Sequence, residues 1–169
     1  AYESGVRVPM IVKGPGITPG SSQEYASAAD VFPTSLSLAG LAPPVEVSNS
    51  EGSGMLPLDS VSLTPILQGQ ADHVRDPDAG YLLTETSNLM TGGTLHLGAR
   101  NASHKIVCVG GVNSEACEFY DLDADPLEEF PLLIPQSCEA YENGTWTPAD
   151  EAWHYCRLTE VVATHSFMQ

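Results

Sequence analysis

The stretch TLHLGARNASHKIVCVGGVNSEACEFYDL, residues 94–122, sets the fold of the second half of this chain. It contains three short runs, TLHLGAR, HKIVCVG and CEFYDL, rich in β-branched, aromatic and aliphatic residues. The links between them are too short for a parallel crossover, which needs a dozen residues or more, so the runs predict antiparallel strands. GYLLTET at 80–86 extends the pattern upstream to about four strands in a meander, with TGG (91–93) and GGVN (110–113) as turns. Downstream, TPADEAWHYCRLTEVVATH (147–165) reads as a helix. Thr147, with Asp150 three residues later, forms a capping-box-like start, and Pro148 suits the first helical position. Trp153, Cys156 and Val161 are expected to face the sheet.

The first half has a different texture. VRVPMIVKG (6–14) has the nearly continuous apolar character of a strand buried on both faces. GPGITPG then forms a loop whose glycine spacing and internal Pro19 exclude a phosphate cradle. AADVFPTSLSLAGL (28–41) predicts a helix capped by Asp30, with Pro33 in its first turn and Gly40 at its end. Phe32, Leu36 and Ala39 would form its buried face. APPVEVSNSEGSG (42–54) reads as a surface loop, and LDSVSLTPILQG (58–69) as a helical turn around Leu63, Ile66 and Leu67 closed by Gly69. The polar stretch QADHVRDPDAG marks a boundary near residue 75, dividing the chain into 1–75 and 76–169.

Twenty-two acidic residues against 6 basic ones leave a net charge of −16. No cationic cluster is available to displace phosphate counterions, so nucleic acid is excluded as a partner. The acidic excess reads as a solvated surface rather than a dedicated ion site. No apolar run approaches the roughly 18 residues of a membrane-spanning helix. Cys108, Cys117, Cys138 and Cys156 share the C-terminal region with two glycosylation sequons, Asn101-Ala-Ser and Asn143-Gly-Thr. That combination points to a secreted protein or one of a secretory or lysosome-like lumen. Four cysteines allow three pairings; the expected one joins Cys108 to Cys117 across a hairpin and Cys138 to Cys156.

General motif rules find no catalytic residue and no metal site. DLDADP (121–126) begins like a calcium loop but has Pro126 and Leu132 where that loop needs Gly and Glu, so a turn is expected. His73, His96, His104, His154 and His165 show neither HExxH nor a pairing with cysteine typical of zinc. No serine lies in a GxSxG elbow.

The order of segments is more specific than any one of them. YESGVRVPMIVKGPG, ADVFPTSLSLAGL, LDSVSLTPILQG and FYDLDADPLEEFPLL, in register across residues 2–133, resemble the later half of the type I sulfatases, members of the alkaline-phosphatase-like superfamily. That family shows YEGG-x-RVP-x-I-x-x-GPG, D-x-x-PT-x-x-x-x-AG, DG-x-SL-x-P-x-L-x-G and YDL-x-x-DP-x-E-x-x-NL. Ser4, Ser60 and Phe130-Pro131 depart from the pattern, each at a turn; residues from about 134 onward have no counterpart.

The resemblance implies an α/β fold: the end of the central sulfatase domain, then a small antiparallel sheet packed with a C-terminal helix. It implies hydrolysis of sulfate esters, on small molecules or glycans, through a formylglycine made from C/S-x-P-x-R and a divalent cation, usually calcium. Neither that motif nor the metal-binding Asp pair occurs here, and an active-site Lys would sit shortly before the YEGG turn. The chain is therefore expected to be inactive alone. His96, Arg100 and Lys105 are the candidates for substrate contacts from the smaller subdomain, and Arg7 is expected in a buried ion pair. A related phosphodiesterase or phosphotransferase, or a non-catalytic binding domain, are the alternatives.

Overall fold

The computed structural model of the chain describes residues 1–48, 54–86, 95–110 and 117–166, with side chains through 164. The expected turns at 91–93 and 111–113 and the His165 side chain lie outside the described residues. The chain divides into two compact units, Ala1–Pro9 with Pro77–Gln169, and Met10–Asp76.

In the first unit, four strands follow one another in space as in sequence: β3 (Leu82–Thr86), β4 (His96–Arg100), β5 (His104–Val109) and β6 (Cys117–Asp121), all antiparallel. The β4–β5 turn is held by Asn101, whose N–H donates to the His104 carbonyl at 3.0 Å. Side chains alternate across a sheet, and here both faces are covered. Leu97, Ala99, Ile106, Cys108 and Phe119 face the helix α5 (Glu151–Ser166), which contributes Tyr155, Leu158, Val161 and Val162 to a continuous core. Trp153 is half-buried and meets Tyr141 edge-on, at 5.7 Å between ring centroids.

The opposite face is covered by the amino-terminal residues, including the helical turn α1 (Glu3–Val6). Ala1 sits directly over Gly98, where a Cβ would come within 3.3 Å of the Ala1 Cβ. Tyr2 meets Tyr120 edge-on at 6.4 Å. β5 is consequently buried on both sides from His104 through Cys108.

Both expected disulfides are present. Cys108–Cys117 links directly opposed residues of β5 and β6. Cys138–Cys156 ties the residue preceding α4 (Glu139–Glu142) to α5. Thr147 and Asp150 form the expected start of α5: the Asp150 carboxylate accepts from the Thr147 N–H at 2.8 Å.

In the unit Met10–Asp76, a 3-10 turn (Ala28–Asp30) leads into α2 (Val31–Leu38), and α3 (Thr64–Leu67) follows. Gly40 and Gly69 end these helices with φ of 77° and 68°, a left-handed conformation that favours glycine.

Four expectations are corrected here. Residues 6–14 form no strand, and Val8 and Ile11 are 76% and 90% exposed. A doubly buried strand needs paired neighbours, and none of the described strands runs beside this stretch. Arg7 is exposed rather than held in a buried pair. Phe32 and Ala39 are exposed and Leu36 is half-buried; Asp30, Pro33 and Thr34 are the buried side chains instead. The reason is polar: α2 is anchored by hydrogen bonds from that face rather than by an apolar stripe. Finally, the expected loop at 42–54 contains β1 (Glu46–Ser48), paired antiparallel with β2 (Met55–Pro57).

Candidate functional site

The polar centre of the first unit lies on the sheet face covered by residues 1–6. His96, Arg100 and Lys105 all belong to this face: His96 and Arg100 are four residues apart on β4, and Arg100 stands opposite Lys105 on β5. Only the last two converge. Lys105 Nζ donates to Glu3 Oε1 at 2.9 Å and forms an ion pair with Glu128 Oε1 at 3.0 Å, while its side chain is 1% exposed. Arg100 Nη1 donates to Glu3 Oε2 at 2.8 Å, and its other nitrogens donate to the carbonyls of Asn101 and Ala102. The second Glu128 oxygen accepts the Glu3 backbone N–H. Two cations and two carboxylates are thereby closed into a buried, neutralised network.

Arg100 and Lys105 are thus engaged with protein carboxylates, Lys105 with its side chain buried and Arg100 with its side chain 20% exposed. A charge removed from water must be compensated locally, and in a chain this acidic the few cations are drawn to buried acids. His96 remains half-buried at the start of β4.

Glu128 is not among the candidate site residues that the sequence offers. It is buried and has φ of 58°, the one left-handed non-glycine among the described residues. The turn DLDADPLEE holds it there. Asp121 Oδ1 accepts from the N–H groups of Asp123 and Ala124, and Asp125 accepts from that of Phe130. The aspartates of this segment thus shape the turn, as expected. A left-handed glutamate costs about 1–2 kcal/mol, which the ion pair to Lys105 and the bond to Glu3 offset.

Beside this network, Glu118 accepts from Tyr2 and Tyr120 hydroxyls. Burial, then the hydrogen bond to Glu118, pushes the Tyr2 phenol up to about 12 and that of Tyr120 higher still. Both hydroxyls are donors at neutral pH and unsuited to act as bases.

A second polar cluster joins the β4–β5 turn to α5. Asn101 is fully buried; its Nδ2 donates to the Asp78 carbonyl at 2.9 Å and to His154 Nδ1 at 2.8 Å, and its Oδ1 accepts from the Ser103 and His104 N–H groups. In this fold both Nδ2 hydrogens of the sequon residue Asn101 are therefore used inside the protein. His154 Nε2 lies 2.9 Å from the Pro148 carbonyl, so that nitrogen carries the proton. The rings of His104 and His154 stack at 4.2 Å.

In the other unit, Asp30 does not cap α2. Ser27 caps the 3-10 turn, and Asp30 accepts from the Ser27 and Val61 N–H groups and from Arg75 at 2.6 Å. Thr34 Oγ1 donates to the Asp30 carbonyl and accepts from the Leu63 N–H. The Asp and Thr of D-x-x-PT therefore hold the backbone that leads into α3. A groove of about 680 Å³ in this unit is lined by Ile17, Thr18, Glu24, Ile66 and His73 among others. Glu24 Oε2 accepts from the Val74 N–H at 2.8 Å. Among the described residues no three His, Cys, Asp or Glu side chains are placed to hold a metal ion, and no helix is long and apolar enough to cross a membrane.

No protein-family model matches the chain. Among curated proteins, it is 32% identical over 150 residues to human arylsulfatase A, covering 78% of this chain and 27% of that protein. It is 30% identical over 149 residues to chicken arylsulfatase K, covering 83% of this chain and 25% of that protein. The chain therefore spans about a quarter of the length of the curated relatives it matches. Among solved structures, it is similar to a 2-O GAG sulfatase, with a TM-score of 0.49 and 22% identity over 82% of this chain and 24% of that one. A protein solved with its substrate D-glucosamine-2-N,6-O-disulfate matches with a TM-score of 0.44 and 21% identity, over 82% of this chain and 23% of that one.

Proposed function

We propose that this chain, a homologue of the arylsulfatases and thus a member of the sulfatase family, serves as the C-terminal part of a sulfuric ester hydrolase. The observation that carries the reading is its likeness to arylsulfatases A and K over about four fifths of its own length and a quarter of theirs. Exposed apolar side chains in the unit Met10–Asp76, among them Ile11 at 90% and Phe32 at 51%, support a further layer of protein against it.

In this reading a formylglycine from an upstream C/S-x-P-x-R segment supplies the nucleophile and an upstream calcium ion polarises the sulfate oxygens. Among the described residues no three His, Cys, Asp or Glu side chains are placed to hold that ion, so no step is assigned to them. Their role is positional. In the family an active-site Lys precedes the YEGG turn, and Glu3 of the corresponding YESG turn is fixed by Arg100 and Lys105. The network anchors the backbone immediately after that lysine, and a small misplacement of a reacting group costs rate steeply. His96 is a candidate for contact with the sulfate ester or glycan. The two disulfides support a secreted or lysosome-like setting.

The test is the coding sequence upstream of Ala1 together with an aryl-sulfate assay. A C/S-x-P-x-R segment, an Asp pair and a Lys just before Tyr2 are expected, with hydrolysis by the longer product and none by this chain. Turnover by the isolated chain would overturn the reading. So would an upstream Thr or unmodified Ser nucleophile, which would indicate a phosphodiesterase or phosphotransferase.

A further inference from the structure

The two sequons, Asn101-Ala-Ser and Asn143-Gly-Thr, both fit the N-x-S/T pattern but are opposite in structure. We propose that Asn143 is the site of N-linked glycosylation in this chain and that Asn101 stays unmodified as a structural residue. Asn143 follows α4 and is exposed. Gly144, with φ of 74°, turns the chain at that point, and Thr145 is exposed beside it. Asn143 Oδ1 accepts from the Thr145 N–H at 3.0 Å and the Thr145 hydroxyl at 2.6 Å. Both hydrogen bonds use the oxygen, so a sugar on Nδ2 breaks neither and extends into solvent.

Asn101 has the reverse arrangement. Its Nδ2 uses both hydrogens internally, one to Asp78 and one to His154, in a residue with no exposed surface. Replacing one hydrogen by a sugar removes a buried hydrogen bond and requires the turn to leave α5, so a chain modified there cannot hold this structure.

The co-reactant is an oligosaccharide carried on a polyprenyl diphosphate lipid. A bond forms between Asn143 Nδ2 and the anomeric carbon of the sugar. The bond from that carbon to the diphosphate oxygen breaks, and the lipid diphosphate leaves with the electron pair. The Nδ2 proton passes to a base of the transferring enzyme. No oxidation or reduction is involved. The site lies inside the loop closed by Cys138–Cys156.

The test is expression of the 169-residue chain behind a cleaved signal sequence in a eukaryotic secretory host. The disulfide-bonded, protease-resistant fraction is treated with a glycoamidase in ¹⁸O water, and the labelled Asp is located by peptide mass spectrometry. One glycan per chain, at position 143, is expected. Asn143→Gln should bring the folded protein to its unmodified mass. Ser103→Ala, which removes the other sequon while keeping Asn101, should leave the glycan mass unchanged. Folded chains with a sugar on Asn101, or with Asn143 bare, would overturn the proposal. Should little protein fold, the aggregated fraction is informative in the same way. Asn101 modification enriched there over the folded fraction supports the assignment, and a bare Asn143 in it overturns it.

Discussion

Glu3 and Lys105, 102 positions apart, meet at 2.9 Å between Oε1 and Nζ with side chains 5% and 1% exposed. That pair fastens the amino-terminal residues across β5, and its removal should be felt by the whole unit. Glu3→Gln takes a carboxylate from the buried Lys105, which keeps Glu128, and from the part-buried Arg100. It should cost about 3–5 kcal/mol, the range found when one partner of a buried pair is lost. Urea unfolding of wild type, Glu3→Gln, Lys105→Met and the double variant measures this directly. A coupling energy below about 0.5 kcal/mol would show that the network contributes no pairwise stability.

Asp30 should be similarly sensitive. It is fully buried and takes Ser27, Val61 and Arg75 as donors. Asp30→Asn places an amide where three donors converge and should cost roughly 3–5 kcal/mol. Limited proteolysis should then cut between residues 61 and 76, and an unchanged digestion pattern would contradict this account.

His104 makes stability depend on pH. Burial first, and the neighbouring His154 second, hold its imidazole below the ordinary value near 6.5, against the opposing pull of Asp121, Asp123 and Asp78. The unfolded chain therefore takes up this proton at a higher pH than the folded one. The associated stability is complete above about pH 6.5 and falls as pH drops through the folded-state value. Thermal unfolding of wild type and His104→Gln from pH 7.5 to 5 should show a shallower pH dependence in the variant. Equal slopes would exclude His104 as the source.

The Cys138–Cys156 bond closes a loop of 18 residues. Replacing both cysteines with alanine should lower stability by about 3 kcal/mol, from loop entropy restored to the unfolded chain. Urea midpoints of the variant and wild type measure the difference. Loss of less than about 1 kcal/mol would show that α4 and α5 are held by packing alone.

A net charge of −16 should repel polyanions. The isolated chain is expected to pass through a heparin column without retention at physiological salt. Retention would place a polyanion-binding surface in this chain rather than in an upstream portion.

The sequence by itself determined the local elements. The four short runs of residues 80–122 became β3 to β6 in order, because close spacing leaves antiparallel pairing as the only connection. The capping pair Thr147 and Asp150, the terminating Gly40 and Gly69, and both disulfides were legible for the same reason: each depends on residues near in sequence or limited to few partners. The tertiary structure alone decided what happens across long separations. Arg100 and Lys105 read as candidates for substrate contact, and only the fold reveals their shared partner Glu3 and the pairing of Lys105 with Glu128. Asn101 and Asn143 both head an N-x-S/T sequon, and it is the fold that buries the first and leaves the second exposed. Residues 6–14 have the composition of a buried strand, yet none of the described strands runs beside them, since hydrogen bonding to neighbours is not encoded in the stretch itself. Burial, charge pairing and sheet edges are properties of partners, and partners are chosen by the fold.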